Sequence, residues 1–284
     1  MNKVGLVLEG GAMRGLYTVG VLDTFMDNKI NIDGIVGVSA GALFGVNYFS
    51  KQRGRGLRYN KKYCGDKRYI SIRSLLLTGN VINKKFAFYK MTKQLEPFDN
   101  ITIMKTNKPY YAVATNVETG KPEYFEIKDV FNQLEELRAT SAIPFMSRMI
   151  KINGNKYLDG GISDSIPIDK CKDLGFEKII VVLTQPLDYR KKPIIKNKEK
   201  AVKLKFKKYP NLINTMLNRH KNYNDTIEKI IDLENKQEIF VIRPSKKIDI
   251  VLMEKNPEKL QEVYNLGVKD CKERIKELKK FIKS

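Results

Sequence analysis

The chain has 284 residues, 42% hydrophobic and 10% aromatic, enough to bury a sizeable core in one large or two smaller domains and too apolar for wholesale disorder. No apolar run approaches the ~20 residues of a membrane-spanning helix, and the N-terminus is too short and Gly-rich for a secretory leader. The net charge of +21 is concentrated in residues 51–93, with 13 Lys/Arg against Asp66, and 190–221, with 12 against Glu199, so a near-neutral body carries two basic segments that attract polyanions.

Residues 4–8, VGLVL, read as a buried strand closing on the turn Glu9-Gly10-Gly11. Leu16, Val19, Leu22, Phe25 and Met26 recur at helical spacing. Residues 30–38 form a second apolar strand, ending in Gly37-Val38-Ser39-Ala40-Gly41, and 42–49 continue as a helix. This β–α–β–α order predicts a parallel α/β sheet. The basic, tyrosine-rich stretch 51–109 is expected to form short helices and loops over the sheet. Residues 110–117 and 123–127 flank the turn Glu118-Thr119-Gly120 as a hairpin, and 130–140 read as a helix. Residues 149–152 and 156–158 flank Asn153-Gly154, and 178–184 form another parallel-type strand. Beyond Gln185 the composition changes. Residues 239–242 offer a short strand. From Asn256-Pro257 an amphipathic helix runs to 283, expected to cover the core with its apolar face.

Three motifs carry chemistry, each where a strand hands over to a turn. Gly10-Gly11-Ala12-Met13-Arg14-Gly15 precedes a helix, whose unpaired N–H groups favour an anion or a developing oxyanion. A dinucleotide site would use similar geometry, but Ala12 breaks the G-x-G-x-x-G spacing, and neither Asp27 nor Asp33 ends a convincing second strand. Gly37-Val38-Ser39-Ala40-Gly41 is a G-x-S-x-G nucleophile elbow, in which flanking glycines clear the space around a serine hydroxyl. Asp159-Gly160-Gly161 ends a strand with a carboxylate free to reach a neighbour.

A serine needs a base. The only histidine is His220, and the order Ser39, Asp159, His220 matches that of a hydrolase triad. His220 sits in Asn218-Arg219-His220-Lys221, within a basic tract expected to be mobile, where cations disfavour its protonated form. The alternative is a Ser39–Asp159 dyad, with the carboxylate as base and the Gly10–Gly15 loop as oxyanion hole. Cys64, Cys171 and Cys271 lie about a hundred residues apart, neither a disulfide framework nor a zinc pattern, and fit a reducing compartment.

With these motifs in register, residues 4–185 resemble the patatin-like phospholipase family, as does Thr140-Ser141-Ala142-Ile143-Pro144-Phe145 ahead of the Asp motif. The resemblance implies a three-layer α/β/α fold with a mostly parallel central sheet, and hydrolysis of lipid acyl esters without metal or other cofactor. It places Ser39 as nucleophile and Asp159 as base. Gly10, Gly11 and Ala12 take the oxyanion-hole positions, with Arg14 as the loop's basic residue. Gly15, Gly37, Gly41, Gly160 and Gly161 are motif glycines. Ala12 departs from the usual glycine, which strains the loop if that position needs a positive φ.

The expected organisation is a catalytic domain over 1–187 and a basic, mainly helical C-terminal extension over 188–284 packed on it. Tyr59, Tyr63, Tyr69, Phe86, Phe88 and Tyr89 interleave with cations in 51–93, so peripheral binding to an anionic membrane surface is expected, in the cytoplasm at the inner membrane face. Nucleic-acid binding is the rival reading of the charge, but no recognition module accompanies it, and no nucleic acid is expected as partner. A catalytically dead scaffold of the same fold is a third reading. Hydrolysis and acyl transfer to a second alcohol both remain open, as does the oligomeric state.

Overall fold

A computed structural model describes residues 2–284, leaving only Met1 of the expected catalytic domain outside. The apolar runs form β1 (Val4–Leu8), β2 (Gly34–Val38), β3 (Tyr110–Asn116) and β7 (Lys178–Val182), and β8 (Ile239–Ile242) joins them. They hydrogen-bond in parallel in the order β3-β2-β1-β7-β8. Their side chains alternate between two cores, as a two-fold period requires. Leu6, Leu8, Ile35 and Val182 enter one, and Val7, Val36, Val38 and Val181 the other. On the first face lie α1 (Gly15–Asp27), α2 (Ala40–Phe49) and α10 (Pro257–Lys283). On the second lie α7 (Ile168–Asp173) and α9 (Pro210–Asn235). The result is the three-layer α/β/α fold.

Three antiparallel strands extend the sheet: β4 (Pro122–Glu126), β5 (Ile150–Ile152) and β6 (Asn155–Asp159). Their register positions the site. Strand β2 pairs with β3 only as far as Val38 opposite Val113. Strand β6 takes up the same edge of β3 from Ala114, which faces Asp159. Strand β4 occupies the opposite edge throughout. The end of β2 and the end of β6 therefore meet head to head.

The C-terminal third is part of this architecture. Strand β8 adds an edge to the sheet, while α9 and α10 cover opposite faces. Helix α10 lies close against α1, because a Cβ on Gly20 would stand 2.2 Å from the Tyr264 carbonyl and one on Gly267 2.1 Å from that of Tyr17. Tyr264 also donates to buried Asp23 at 2.9 Å. The tract around His220, expected to be mobile, is wound into α8 (Lys196–Lys205) and α9.

Over the first core lie α3 (Arg55–Tyr63), α4 (Ile72–Thr78), a π-helix (Lys84–Leu95) and α5 (Asn100–Thr106), while α6 (Leu134–Ala139) lies beside β5 and β6. The aromatics of 51–93 are mostly not at an interface. Tyr59, Tyr63, Tyr69 and Phe86 are buried, Phe88 is half-buried, and Tyr89 is exposed. Aromatic area is worth more in a core than in water, and the neighbouring cations still serve it: Arg55 stacks on Tyr59 and Arg68 on Phe86. Large exposed apolar residues here are Ile72, Leu76 and Leu77 of α4 together with Ile101 and Met104 of α5, Leu76 and Leu77 being the most exposed at 81% and 72%. No helix among the described residues is long and apolar enough to cross a membrane.

Candidate active site

The site forms at the C-terminal ends of β1, β2 and β7, where parallel α/β sheets place their crevices. Ser39 occupies the turn between β2 and α2 at φ +52° and ψ −123°, a conformation that costs an L-residue about 1–3 kcal/mol. The surroundings hold it there. Its N–H donates to Thr140 Oγ1 at 2.8 Å, and its carbonyl accepts the Leu43 N–H at 3.0 Å. The flanking glycines are required by space. A Cβ on Gly41 would stand 2.6 Å from the Leu8 carbonyl, and one on Gly37 2.8 Å from Ala42 Cα.

Asp159 closes β6. Its N–H donates to the Ala142 carbonyl, and its own carbonyl accepts the Thr115 hydroxyl at 2.8 Å. The carboxylate is shared between two donors: Ser39 Oγ donates to Oδ2 at 2.8 Å and the Gly161 N–H to Oδ1 at 2.8 Å. Gly160 lets the chain pass β3, since a Cβ there would lie 2.1 Å from the Val113 carbonyl. Ser39 and Asp159 are each only 8% exposed. Burial pushes the Asp159 carboxyl above the ordinary aspartate range, against the Ser39 hydrogen bond, the Arg219 charge and the Gly161 N–H, which pull it down. A carboxylate so placed is a stronger base than one in water.

The glycine-rich loop wraps the same spot. Gly10, Gly11, Ala12 and Arg14 line a cavity of about 170 Å³ with Ser39, Asp159 and Gly161. Gly10 approaches the serine so closely that a Cβ on it would stand 3.0 Å from Ser39 Cβ. The N–H groups of Gly10 and Gly11 donate to no protein acceptor among the described residues. Gly15 packs beneath, on Ala40 and Phe44. Ala12 stands at φ +49°, so the substitution of glycine by alanine does strain the loop. A left-handed L-residue costs about 1–2 kcal/mol, partly offset by the larger unfolded-state entropy of glycine. Ala12→Gly is therefore expected to stabilise the fold by about 0.5–1 kcal/mol, read as a rise in thermal midpoint. A fall would show that the alanine methyl makes a compensating contact.

Of the two bases weighed from the sequence, only the aspartate reaches the serine. His220 lies on α9 with Nδ1 against the Leu217 carbonyl at 3.0 Å and does not line the cavity. Its neighbour Arg219 does, together with Tyr223 one turn on and Lys191. Glu9 ties these elements together. It accepts the Tyr223 hydroxyl at 2.9 Å and the Thr184 N–H at 2.5 Å, joining β1, the end of β7 and α9. Burial raises its carboxyl as well. The sequence hint for α9 was the i, i+4 spacing of Arg219 and Tyr223, which puts both on one helix face without saying what that face meets. Among the described residues no group of three or more His, Cys, Asp or Glu side chains is placed to hold a metal ion.

On its other side Ser39 borders an apolar pocket of about 60 Å³ lined by Met13, Leu43, Phe44 and Ile143. A further pocket of about 80 Å³, reaching Met91 and Leu137, shares Leu43, Tyr59, Tyr69 and Ile82 with it. The serine thus stands between a polar, cationic cavity and an apolar path beneath the segment 55–98.

A family model described as patatin-like phospholipase matches residues 6–171, and a second, described only as a domain of unknown function, matches 209–283. The chain is 30% identical over 272 residues to the uncharacterised protein YjjU of Escherichia coli, covering 94% of this chain and 75% of that one. It is 28% identical over 192 residues to lysophospholipase nte1 of Aspergillus fumigatus, covering 66% of this chain and 12% of that one. The likeness to nte1 thus spans about an eighth of that longer protein.

Proposed function

The chain belongs to the patatin-like phospholipase family, and on that footing we propose that it hydrolyses ester-linked acyl chains of lipids through a Ser39–Asp159 dyad and a covalent acyl-enzyme. The observation that carries this reading is the 2.8 Å hydrogen bond from Ser39 Oγ to a buried carboxylate, with two free loop N–H groups beside it. As Oγ bonds to the ester carbonyl carbon, its proton passes to Asp159. The oxyanion is held by loop N–H groups, each worth about 3–4 kcal/mol in comparable sites. The C–O bond to the alcohol then breaks, and Asp159 returns its proton to the departing oxygen. Water repeats the sequence: its proton goes to Asp159, its oxygen to the acyl carbon, and Ser39 recovers its proton as the fatty acid leaves. The apolar path beside Ser39 receives the acyl chain. Residues 1–187 supply the dyad and the loop, while 188–284 supply the cavity wall facing them. Acyl transfer to an alcohol uses the same steps with a different second nucleophile, and product analysis by mass spectrometry separates the two. Free fatty acid is the expected product; acylated alcohol alone would assign transfer.

The base works only when deprotonated, so kcat/KM is expected to rise with pH through the elevated pKa of Asp159 and then level. Arg219 lowers that pKa. Arg219→Gln should therefore move the acidic limb to higher pH, read from the pH profile on a soluble ester. An unmoved or lowered limb would mean that the titrating group is not Asp159.

We also propose that α4 touches the membrane carrying the substrate. Exposed Leu76 and Leu77 stand on a segment of strong positive charge, next to the elements that cover the apolar path. Leu76→Asp with Leu77→Asp should cut sedimentation with anionic vesicles by about tenfold or more, the loss of two buried leucines. Unchanged sedimentation would exclude α4 as the contact.

A further inference from the structure

An N–H group stabilises an oxyanion only if it points at it, and nothing local enforces this in the glycine-rich loop. The Gly10–Gly11 peptide is planar, so its C=O and N–H leave on opposite edges. Glycine on both sides makes rotation of the whole unit sterically cheap. A half-turn would aim the Gly10 carbonyl oxygen, in place of the Gly11 N–H, into the cavity. The flanking positions are pinned by backbone bonds. The Glu9 N–H donates to the Val182 carbonyl at 3.1 Å, and the Gly11 carbonyl accepts the Arg14 N–H at 3.0 Å. Among the described residues no backbone N–H reaches the Gly10 carbonyl. Its donor is a side chain from just beyond β7: Thr184 Oγ1 stands 3.3 Å from it. Thr184 is fully buried behind the loop and does not line the cavity. It fits so tightly under Gly11 that a Cβ there would lie 2.7 Å from Oγ1.

Thr184 is itself held. Glu9 Oε2 accepts its N–H at 2.5 Å and lies 3.1 Å from its Oγ1, while Glu9 Oε1 takes the Tyr223 hydroxyl of α9 at 2.9 Å. The Thr184 hydroxyl therefore stands between the carboxylate and the Gly10 carbonyl, a three-centre arrangement for its single proton. A buried hydroxyl is costly unless it is bonded, and a valine of the same shape would fill the space without that cost. We propose that Thr184, held by Glu9, is a positioning residue that locks the Gly10–Gly11 peptide with its N–H toward Ser39. The hole then stands formed before the ester arrives and needs no reorganisation as the oxyanion develops. Through Tyr223 the lock is anchored in α9, so the C-terminal segment bears on the geometry of the loop as well as walling the cavity. This inference deepens the Ser39–Asp159 reading and rests on it for its kinetic part.

Two arms test it. The first reads kcat and KM on a soluble ester for two variants. Thr184→Val keeps the shape and the backbone bond to Glu9 but removes Oγ1; Thr184→Ser keeps Oγ1 and loses a methyl. Thr184→Val is expected to lose about tenfold or more in kcat with KM within about twofold, because the orientation of the peptide matters to the transition state and not to ground-state binding. Thr184→Ser should stay within about threefold of wild type. A packing role would reverse the order, with the serine variant the slower, and would overturn the proposal, as would a valine variant with wild-type kcat. The second arm needs no turnover. The sequence holds only two Gly-Gly peptides, Gly10–Gly11 and Gly160–Gly161, so glycine carrying ¹³C at the carbonyl and ¹⁵N at the amide gives two signals in a spectrum that correlates those nuclei. The Gly160–Gly161 signal is identified by its response to Asp159→Asn, since the Gly161 N–H donates to that carboxylate. In the Ser39→Ala protein, adding Thr184→Val should shift or broaden the Gly10–Gly11 signal and leave the other in place, and Thr184→Ser should not. An unmoved Gly10–Gly11 signal in the valine variant would overturn the lock whatever the kinetics. If the wild-type protein turns over no ester, the dyad reading fails, while this signal still decides whether Thr184 holds the peptide.

Discussion

Ser39→Ala is expected to lower ester hydrolysis by at least about 10⁴-fold. The expectation follows from what the hydroxyl is asked to do. In the proposed mechanism its oxygen forms the covalent bond and its proton passes to Asp159, to which it already donates at 2.8 Å. Removing it leaves the loop N–H groups and the cavity intact, so bound ester meets only water. The residual rate then reflects oxyanion stabilisation and positioning without a nucleophile. The measurement is turnover of a lysophospholipid by mass spectrometry, wild type against variant, with far-ultraviolet circular dichroism to show that both fold. A loss smaller than tenfold would point to another nucleophile, and Ser165, which also lines the cavity, would be the first to examine.

Asp159→Asn is expected to cost about as much, on the order of 10⁴-fold in kcat. An amide fills the same volume and can still bond Ser39, but it cannot accept the proton. Because the two residues act as one unit, the double variant should be no slower than the worse single one. His220→Ala, which touches neither group, should stay within about threefold of wild type. A folded but inactive His220→Ala protein would replace the dyad with a triad and require α9 to move.

The sequence showed the βαβα opening because parallel strands buried on both faces read as apolar runs and end at Gly-rich turns. It also showed Ser39 and Asp159 in chain order. What it could not show was that β2 and β6 share one edge of β3, a matter of register that brings residues 120 positions apart into contact. Four other features were hidden for local reasons. Lys84–Leu95 winds as a π-helix, whose longer period a 3.6-residue template does not detect. The expected helix over 130–140 shrinks to Leu134–Ala139, since Asp129 accepts the N–H groups of Phe131 and Asn132 and holds that stretch as a turn. The aromatics of 51–93 looked interfacial because composition does not reveal which side of a helix meets the core. Lys191 and Arg219 were two cations among many, distinguished only by the direction in which they face.

The central claim is that Ser39 is activated by Asp159, and labelling with a fluorophosphonate tests it most directly. The reagent forms a stable P–O bond with an activated serine, and peptide mass spectrometry locates it. The account predicts label on Ser39 of the wild-type protein and labelling at least about 10³-fold slower in Asp159→Asn. Label on a different serine, or Ser39 labelled equally fast without the Asp159 carboxylate, would contradict it.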